Sequence, residues 1–170
     1  MCKDMTTSDQ KPKNPAGEPK PAFVYATSRD WPGYFEVTQG RPPRETLLHA
    51  LNLFSNEPTD RMRSAVDLGC GEGRDSVHLL RDGWRVHAID GHPDAIRRLV
   101  SRDDLTAPER LTMQLAPFEL VEIPRCDLLN ASFSLPFCEP EHFGALWARI
   151  VDAIEPGGLF AGQLFGDRDS

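Results

Sequence analysis

An α/β fold built on a doubly wound, mainly parallel sheet is predicted by three observations. Short apolar segments alternate with amphipathic helical segments from Ser64 onward. Strands that alternate with helices imply right-handed crossovers, and hence parallel pairing. A glycine-rich turn, "GCGEG", stands between the first of those strands and the next helix.

The elements follow in order. Residues 1–28 begin "MCKDMTTSDQKPKNPAGEPKP", polar, Pro-rich and without an apolar signal region, and read as a disordered tail. The folded core is expected over 29–170. "DWPGYFEVTQGRPPRETLLHALNLF" has a turn-rich start, then a helix with Leu47, Leu48, Leu51 and Phe54 on one face. "SAVDLG" is a strand, and Gly73 to Asp82 a helix capped by a left-handed Gly83. "WRVHAID" is the second strand, and Pro93 opens a helix with Ile96, Leu99 and Val100 on its face. "LTMQLA" and "CDLLNASF" are the third and fourth strands, joined over Pro117 to Arg125 by a link too short for a full crossover helix. Pro140 opens the strongest amphipathic pattern, with Phe143, Leu146, Trp147, Ile150, Val151 and Ile154 at helical spacing. "EPGG" breaks it, and "LFAGQLF" is the fifth strand.

Composition narrows the function. A formal charge of −7 argues against a nucleic-acid partner, which a basic face would have to attract. No apolar run approaches the ~20 residues that cross a bilayer, so a membrane role is not expected and a cytoplasmic location is. The four cysteines form no CxxC pair and read as reduced. The five histidines show no metal-ligand spacing, so no metal is expected.

The stretch "VDLGCGEGRDS" raises the site question. Gly69, Gly71 and Gly73 in one turn require either positive φ angles or a ligand lying against the backbone. In a parallel sheet, ligands sit beyond the carboxyl ends of the strands, where Asp67 and Asp90 both fall. A dinucleotide fingerprint would be G-x-G-x-x-G, but here the period is two and Arg74 stands where the third glycine belongs. Asp67 would also oppose phosphates. The turn suits a ligand carrying an amine and a ribose.

"AVDLGCGEGRDS" resembles the first motif of class I S-adenosylmethionine-dependent methyltransferases, and "VHAIDGHPDAI" resembles their second. "CDLLNASFSLPF" is similar to their fourth-strand segment and "IVDAIEPGGLFAGQLF" to the helix, turn and fifth strand. The glycine wording is closest to small-molecule members such as the tellurite-resistance methyltransferases. The likeness runs from Trp31 to the end and implies a Rossmann-like sheet. The usual seven strands would then stop at five, leaving the fifth as an edge through which the chain could self-associate.

The resemblance implies S-adenosylmethionine as cofactor. It sets Gly69, Gly71 and Gly73 against the methionine and ribose, and has Asp67 order the loop and face the amino group through water. It gives Asp90, with Gly91 beside it, the ribose hydroxyls, since a carboxylate accepts two such bonds at once. Pro117 stands where relatives carry an adenine-binding acid, leaving adenine to Phe118 or to backbone; Phe118 reads equally as core. Ala131 and Ser132 flank the sulfonium. Arg41 or Arg44 pairs the methionine carboxylate or is a solvated surface residue, and Trp31 is a lid residue or a packing anchor. No general base stands out, because His92 reads as a helix cap, so the catalytic residue is unassigned and a soft nucleophile is mildly favoured. A small-molecule methyltransferase is therefore expected. A cofactor-binding module without turnover and a nicotinamide oxidoreductase are the alternatives.

Overall fold

The computed structural model describes residues 29–57 and 59–164. The proposed tail with Cys2, and the chain end with Phe165, Asp167, Arg168 and Asp169, lie outside the described residues.

Five strands form one sheet: β1 (Ser64–Leu68), β2 (Arg85–Asp90), β3 (Leu111–Leu115), β4 (Cys126–Ser132) and β5 (Ile154–Gln163). Their order is β3-β2-β1-β4-β5 and every pairing is parallel. The helices are α1 (Trp31–Thr38), α2 (Glu45–Ser55), α3 (Arg74–Arg81), α4 (Pro93–Val100) and α5 (Pro140–Ala153). The chain winds outward from β1 to β3, then returns to β4 on the other side of β1. That reversal is the topological switch point where such sheets open a crevice.

The central strands are buried on both faces, as apolar runs such as Ala65-Val66 and Leu128-Leu129 require. One apolar cluster, with Leu47, Phe54, Leu79 and Leu99, packs on one side. A second, with Leu68, Ile89, Leu135, Leu146 and Ile150, packs on the other. Gly83 takes the left-handed conformation (φ 86°), and the N–H of Trp84 bonds back to the carbonyl of Leu79, stopping α3 where the sequence predicts. The link from β3 to β4 is a turn at Pro117–Leu120, as its length demands.

Three features depart from the sequence reading. The segment read as turn-rich contains α1, begun by Asp30, whose side chain accepts from the N–H of Gly33. Pro32 and Gly33 disguise it: proline is tolerated in a first helical turn, and the cap is a single acid. "EPGG" is not a break between α5 and β5 but a bulge inside β5. Ile154 pairs with Cys126 and Leu159 with Leu128, with the register shift between them. Gly157 has φ 81°, and a Cβ on Gly158 would lie 2.7 Å from the carbonyl oxygen of Asp127. Finally, the α5 stripe is narrower than its pattern: Leu146 and Ile150 are fully buried, while Trp147 and Val151 are exposed. The Trp147 ring instead meets Phe160 of β5, with centroids 5.3 Å apart. β5 forms the outer edge of the described sheet.

Candidate functional site

A cavity of about 680 Å³ opens beyond the carboxyl ends of β1, β2 and β4. This volume is in the range of small-molecule sites. Gly69 and Gly71 form its floor, Asp90, Gly91 and His92 one wall, Pro117 and Phe118 the next, and Ser132 another. Trp31, Tyr34 and Phe35 of α1 close over it, with Phe137 opposite.

Asp90 ends β2 and points into this space. Its Oδ2 accepts from the N–H of Gly71 at 2.9 Å, and its Oδ1 accepts from the N–H of His92 at 2.8 Å. Each oxygen so keeps lone-pair capacity for a further donor. Burial raises the Asp90 pKa above the ordinary carboxylate value, although the N–H groups of His92 and Gly71 act to lower it. His92 accepts from the N–H of Asp94 at 3.2 Å, and is the cap of α4 that the sequence suggested.

The three glycines do three different things. All have positive φ: 79° at Gly69, 55° at Gly71 and 85° at Gly73. A Cβ on Gly69 would meet Ser134 Cβ at 2.2 Å, so this glycine lets the loop after β4 approach. A Cβ on Gly73 would meet Leu99 Cδ1 at 2.2 Å, in the core beneath α4. Only at Gly71 would a side chain find loose contact, with Phe35 Cε1 3.5 Å away across the cavity floor. Of the three, Gly69 and Gly71 line the cavity. Gly73 is absent from the cavity wall, and so is Arg74.

This separates two substitutions. Gly73→Ala combines left-handed strain with overpacking of an immobile Leu99, and should cost about 2–5 kcal/mol of stability. Gly71→Ala carries the strain alone, roughly 1–2 kcal/mol, but puts its methyl group into ligand space. Urea unfolding beside ligand titration reads both. Equal losses of stability in the two variants would refute the division.

Asp67 lies outside the cavity wall. It is 2% exposed, and both its oxygens are used inside the protein. Ser76 Oγ of α3 donates to Oδ2 at 2.6 Å, and Asn130 Nδ2 of β4 donates to Oδ1 at 2.9 Å. Asn130 Nδ2 also reaches Asp75 Oδ2 at 3.1 Å, and Asp75 Oδ1 accepts from the N–H of Arg44 at 3.0 Å. Asp67 thus orders the glycine loop, as expected, but from behind it, by tying β1, α3, β4 and the start of α2 together. Burial, with the charge of Asp75 second, pushes it up to about 7. Ala131 is fully buried in the cluster beneath α5, whereas Ser132 lines the cavity, as alternate residues of a strand face opposite sides.

Phe118 lines the cavity and also packs against the α5-side cluster. Arg149 of α5 holds its position: the guanidinium donates to the carbonyls of Phe118 at 2.7 Å and Glu119 at 3.1 Å. Arg41 and Arg44 both line the cavity. Arg44 lies over the Phe133 ring at 4.9 Å, and its buried Nε has no hydrogen-bond partner.

Sequence reasoning missed Arg29, Phe35, Phe137, Glu119 and Glu139, all in the cavity wall. Glu119 and Glu139 lie 3.8 and 3.4 Å from His142 Nδ1, a cluster assembled from two segments that no spacing rule could reveal. The described cysteines, Cys70, Cys126 and Cys138, are free and buried. Burial lifts the Cys70 thiol well above its ordinary pKa, so it is inert beside the site.

A parallel sheet ordered 3-2-1-4-5, with a glycine turn after the first strand and a cavity-facing carboxylate ending the second, is the arrangement of a class I methyltransferase fold. The model of the methyltransferase-domain family matches residues 65–158. The chain belongs to that family, the class I S-adenosylmethionine-dependent methyltransferases. It is 29% identical over 135 residues to a carboxy-S-adenosyl-L-methionine synthase of Aeromonas hydrophila, covering 72% of this chain and 51% of the relative. It is 30% identical over 138 residues to a trans-aconitate 2-methyltransferase of Agrobacterium fabrum, covering 76% and 46%. The fold is shared with the 1,6-didemethyltoxoflavin-N1-methyltransferase of Burkholderia thailandensis, solved with S-adenosylhomocysteine. There the TM-score is 0.63 and the identity 24%, over 81% of this chain and 58% of that one. The chain spans about half the length of the curated relatives it matches.

Proposed function

We propose that the chain binds S-adenosylmethionine in the cavity above β1, β2 and β4, and transfers its methyl group to a small-molecule acceptor. The observation that carries this is Asp90, which braces the glycine turn through Gly71 and retains acceptor capacity toward the cavity. The bound cofactor supplies an activated methyl group on a sulfonium sulfur.

The chain's residues have distinct tasks in this reading. Asp90 takes the ribose hydroxyls. Phe118 and the backbone at Ala116 and Pro117 flank the adenine. Arg44, with an unsatisfied buried Nε, takes the methionine carboxylate. Ser132 stands at the end of β4 beside the reacting end. Trp31, Tyr34 and Phe35 roof the cavity, excluding water and aligning the acceptor. Alignment alone supplies up to roughly 7–11 kcal/mol in favourable cases. The cavity volume and the charge of −7 both support a small acceptor over a nucleic acid.

Calorimetry of the folded chain with S-adenosylmethionine and S-adenosylhomocysteine is the test, followed by transfer of a labelled methyl group into small-molecule extracts. Saturable heat with both ligands is expected. A folded sample that binds neither at millimolar concentration refutes the proposal.

A further inference from the structure

The arginines of this chain divide by place. Most described arginines away from the cavity have acceptors for their guanidinium groups, such as Arg61 on Asp127, Arg98 on Asp94, Arg102 on Asp104 and Arg125 on Glu155, the exposed Arg85 being an exception. Among the described residues, no oxygen accepts a hydrogen bond from the guanidinium of Arg29, Arg41 or Arg44, and all three line the cavity. One methionine carboxylate would occupy one of them. Arg29 and Arg41 are exposed to solvent, and of these two only Arg29 is also held in place by aromatic rings.

Arg29 is the one built to receive an anion. Its Cζ lies 4.4 Å from the Tyr34 ring centroid, 5.0 Å from Trp31 and 5.8 Å from Phe137. The rings brace one another: Trp31 meets Phe137 edge-on at 5.1 Å and Tyr34 at 5.9 Å. Stacking fixes a guanidinium by its faces and leaves its N–H edge free, the geometry that grips a carboxylate with two parallel bonds. The nearest acid in sequence, Asp30, does not compete, because its carboxylate caps α1 at Gly33 N–H. Glu119 and Glu139, the other carboxylates at this end, are drawn to His142. Arg44 is separated from this arrangement, lying over Phe133 at the end of β4.

We propose that Arg29, held by Trp31, Tyr34 and Phe137, is the specificity residue that binds a carboxylate of the methyl acceptor, so that the substrate is a small carboxylic acid. This rests on the cofactor site proposed above, and deepens it. Arg29 positions the acceptor and takes no part in the transfer itself.

The experiment uses the full chain saturated with S-adenosylhomocysteine. It is titrated with a panel of two- to six-carbon mono-, di- and tricarboxylates and one aromatic monocarboxylate, beside the matching methyl esters, amines and phosphate monoesters. At least one carboxylate is expected to bind and its ester to bind at least tenfold more weakly. Arg29→Gln should weaken that carboxylate at least tenfold while leaving S-adenosylhomocysteine affinity within twofold. Arg29→Lys, which keeps the charge but loses the fork, should recover only part of the loss. A wild-type complex that takes amines or phosphate monoesters but no carboxylate overturns the proposal. So does an Arg29→Gln variant that loses the cofactor product as much as the acid. Failure of the wild type to bind S-adenosylhomocysteine at all is instead the failure of the cofactor reading.

Discussion

Between pH 4 and pH 7 the folded chain is expected to lose stability as pH rises. The source is Asp67, raised to about 7 by its burial and by Asp75. An unfolded aspartate titrates near 3.9. Below about pH 4 both states hold the proton, and the full stability is present. As pH rises from 4 to 7 the unfolded chain releases its proton while the folded chain keeps it, so unfolding becomes easier. Above 7 both states are ionised and the loss stops. Asp90, also raised, acts in the same direction. Asp104, lowered to about 2 by its bond to Arg102, works the other way, but only below the unfolded value and on an exposed group. His87, lowered by burial, also opposes Asp67 within this window, because its unfolded form binds more protons as pH falls below its ordinary value.

Asp67→Asn tests the source. Its carbonyl can accept from Asn130 Nδ2, and its amide can donate to Ser76 Oγ, which is able to accept. The fold should survive and the slope between pH 4 and 7 should flatten. Urea midpoints across that range decide it. A wild-type profile that is level from pH 4 to 7, or a variant that keeps the full slope, contradicts the assignment.

The sequence showed the site better than it showed the side chains' directions. The alternation of strand and helix, the left-handed stop at Gly83 and the place of Asp90 at the end of β2 beside the glycine turn were legible because each rests on a local rule. The protein partners of Asp67 were not legible because they come from distant segments, Asn130 on β4 and Ser76 on α3. The packing at Gly73 was hidden for a similar reason, since the Leu99 that crowds its side-chain position lies on the next helix. Arg29 carried no signal at all. Its meaning depends on Tyr34 one helical turn later, and on Phe137, more than a hundred residues further along the chain.

Asp90→Ala should weaken S-adenosylhomocysteine binding by roughly 1.5–3 kcal/mol, the scale of hydrogen bonds to a charged acceptor. That is a loss of about 10- to 150-fold in affinity. Two routes lead to it, and they are separable. One is direct: the ribose hydroxyls lose the carboxylate that accepts from them. The other runs through the glycine turn, because the N–H groups of Gly71 and His92 lose the oxygens that fix them at 2.9 and 2.8 Å. A 2′-deoxy analogue of the ligand distinguishes the routes, since it lacks one of the hydroxyls but still needs an ordered turn. If Asp90 reads the ribose, the wild type binds the analogue more weakly than the parent, and the two converge in Asp90→Ala. If Asp90 only braces the turn, both ligands lose affinity equally in the variant, and the ribose assignment falls.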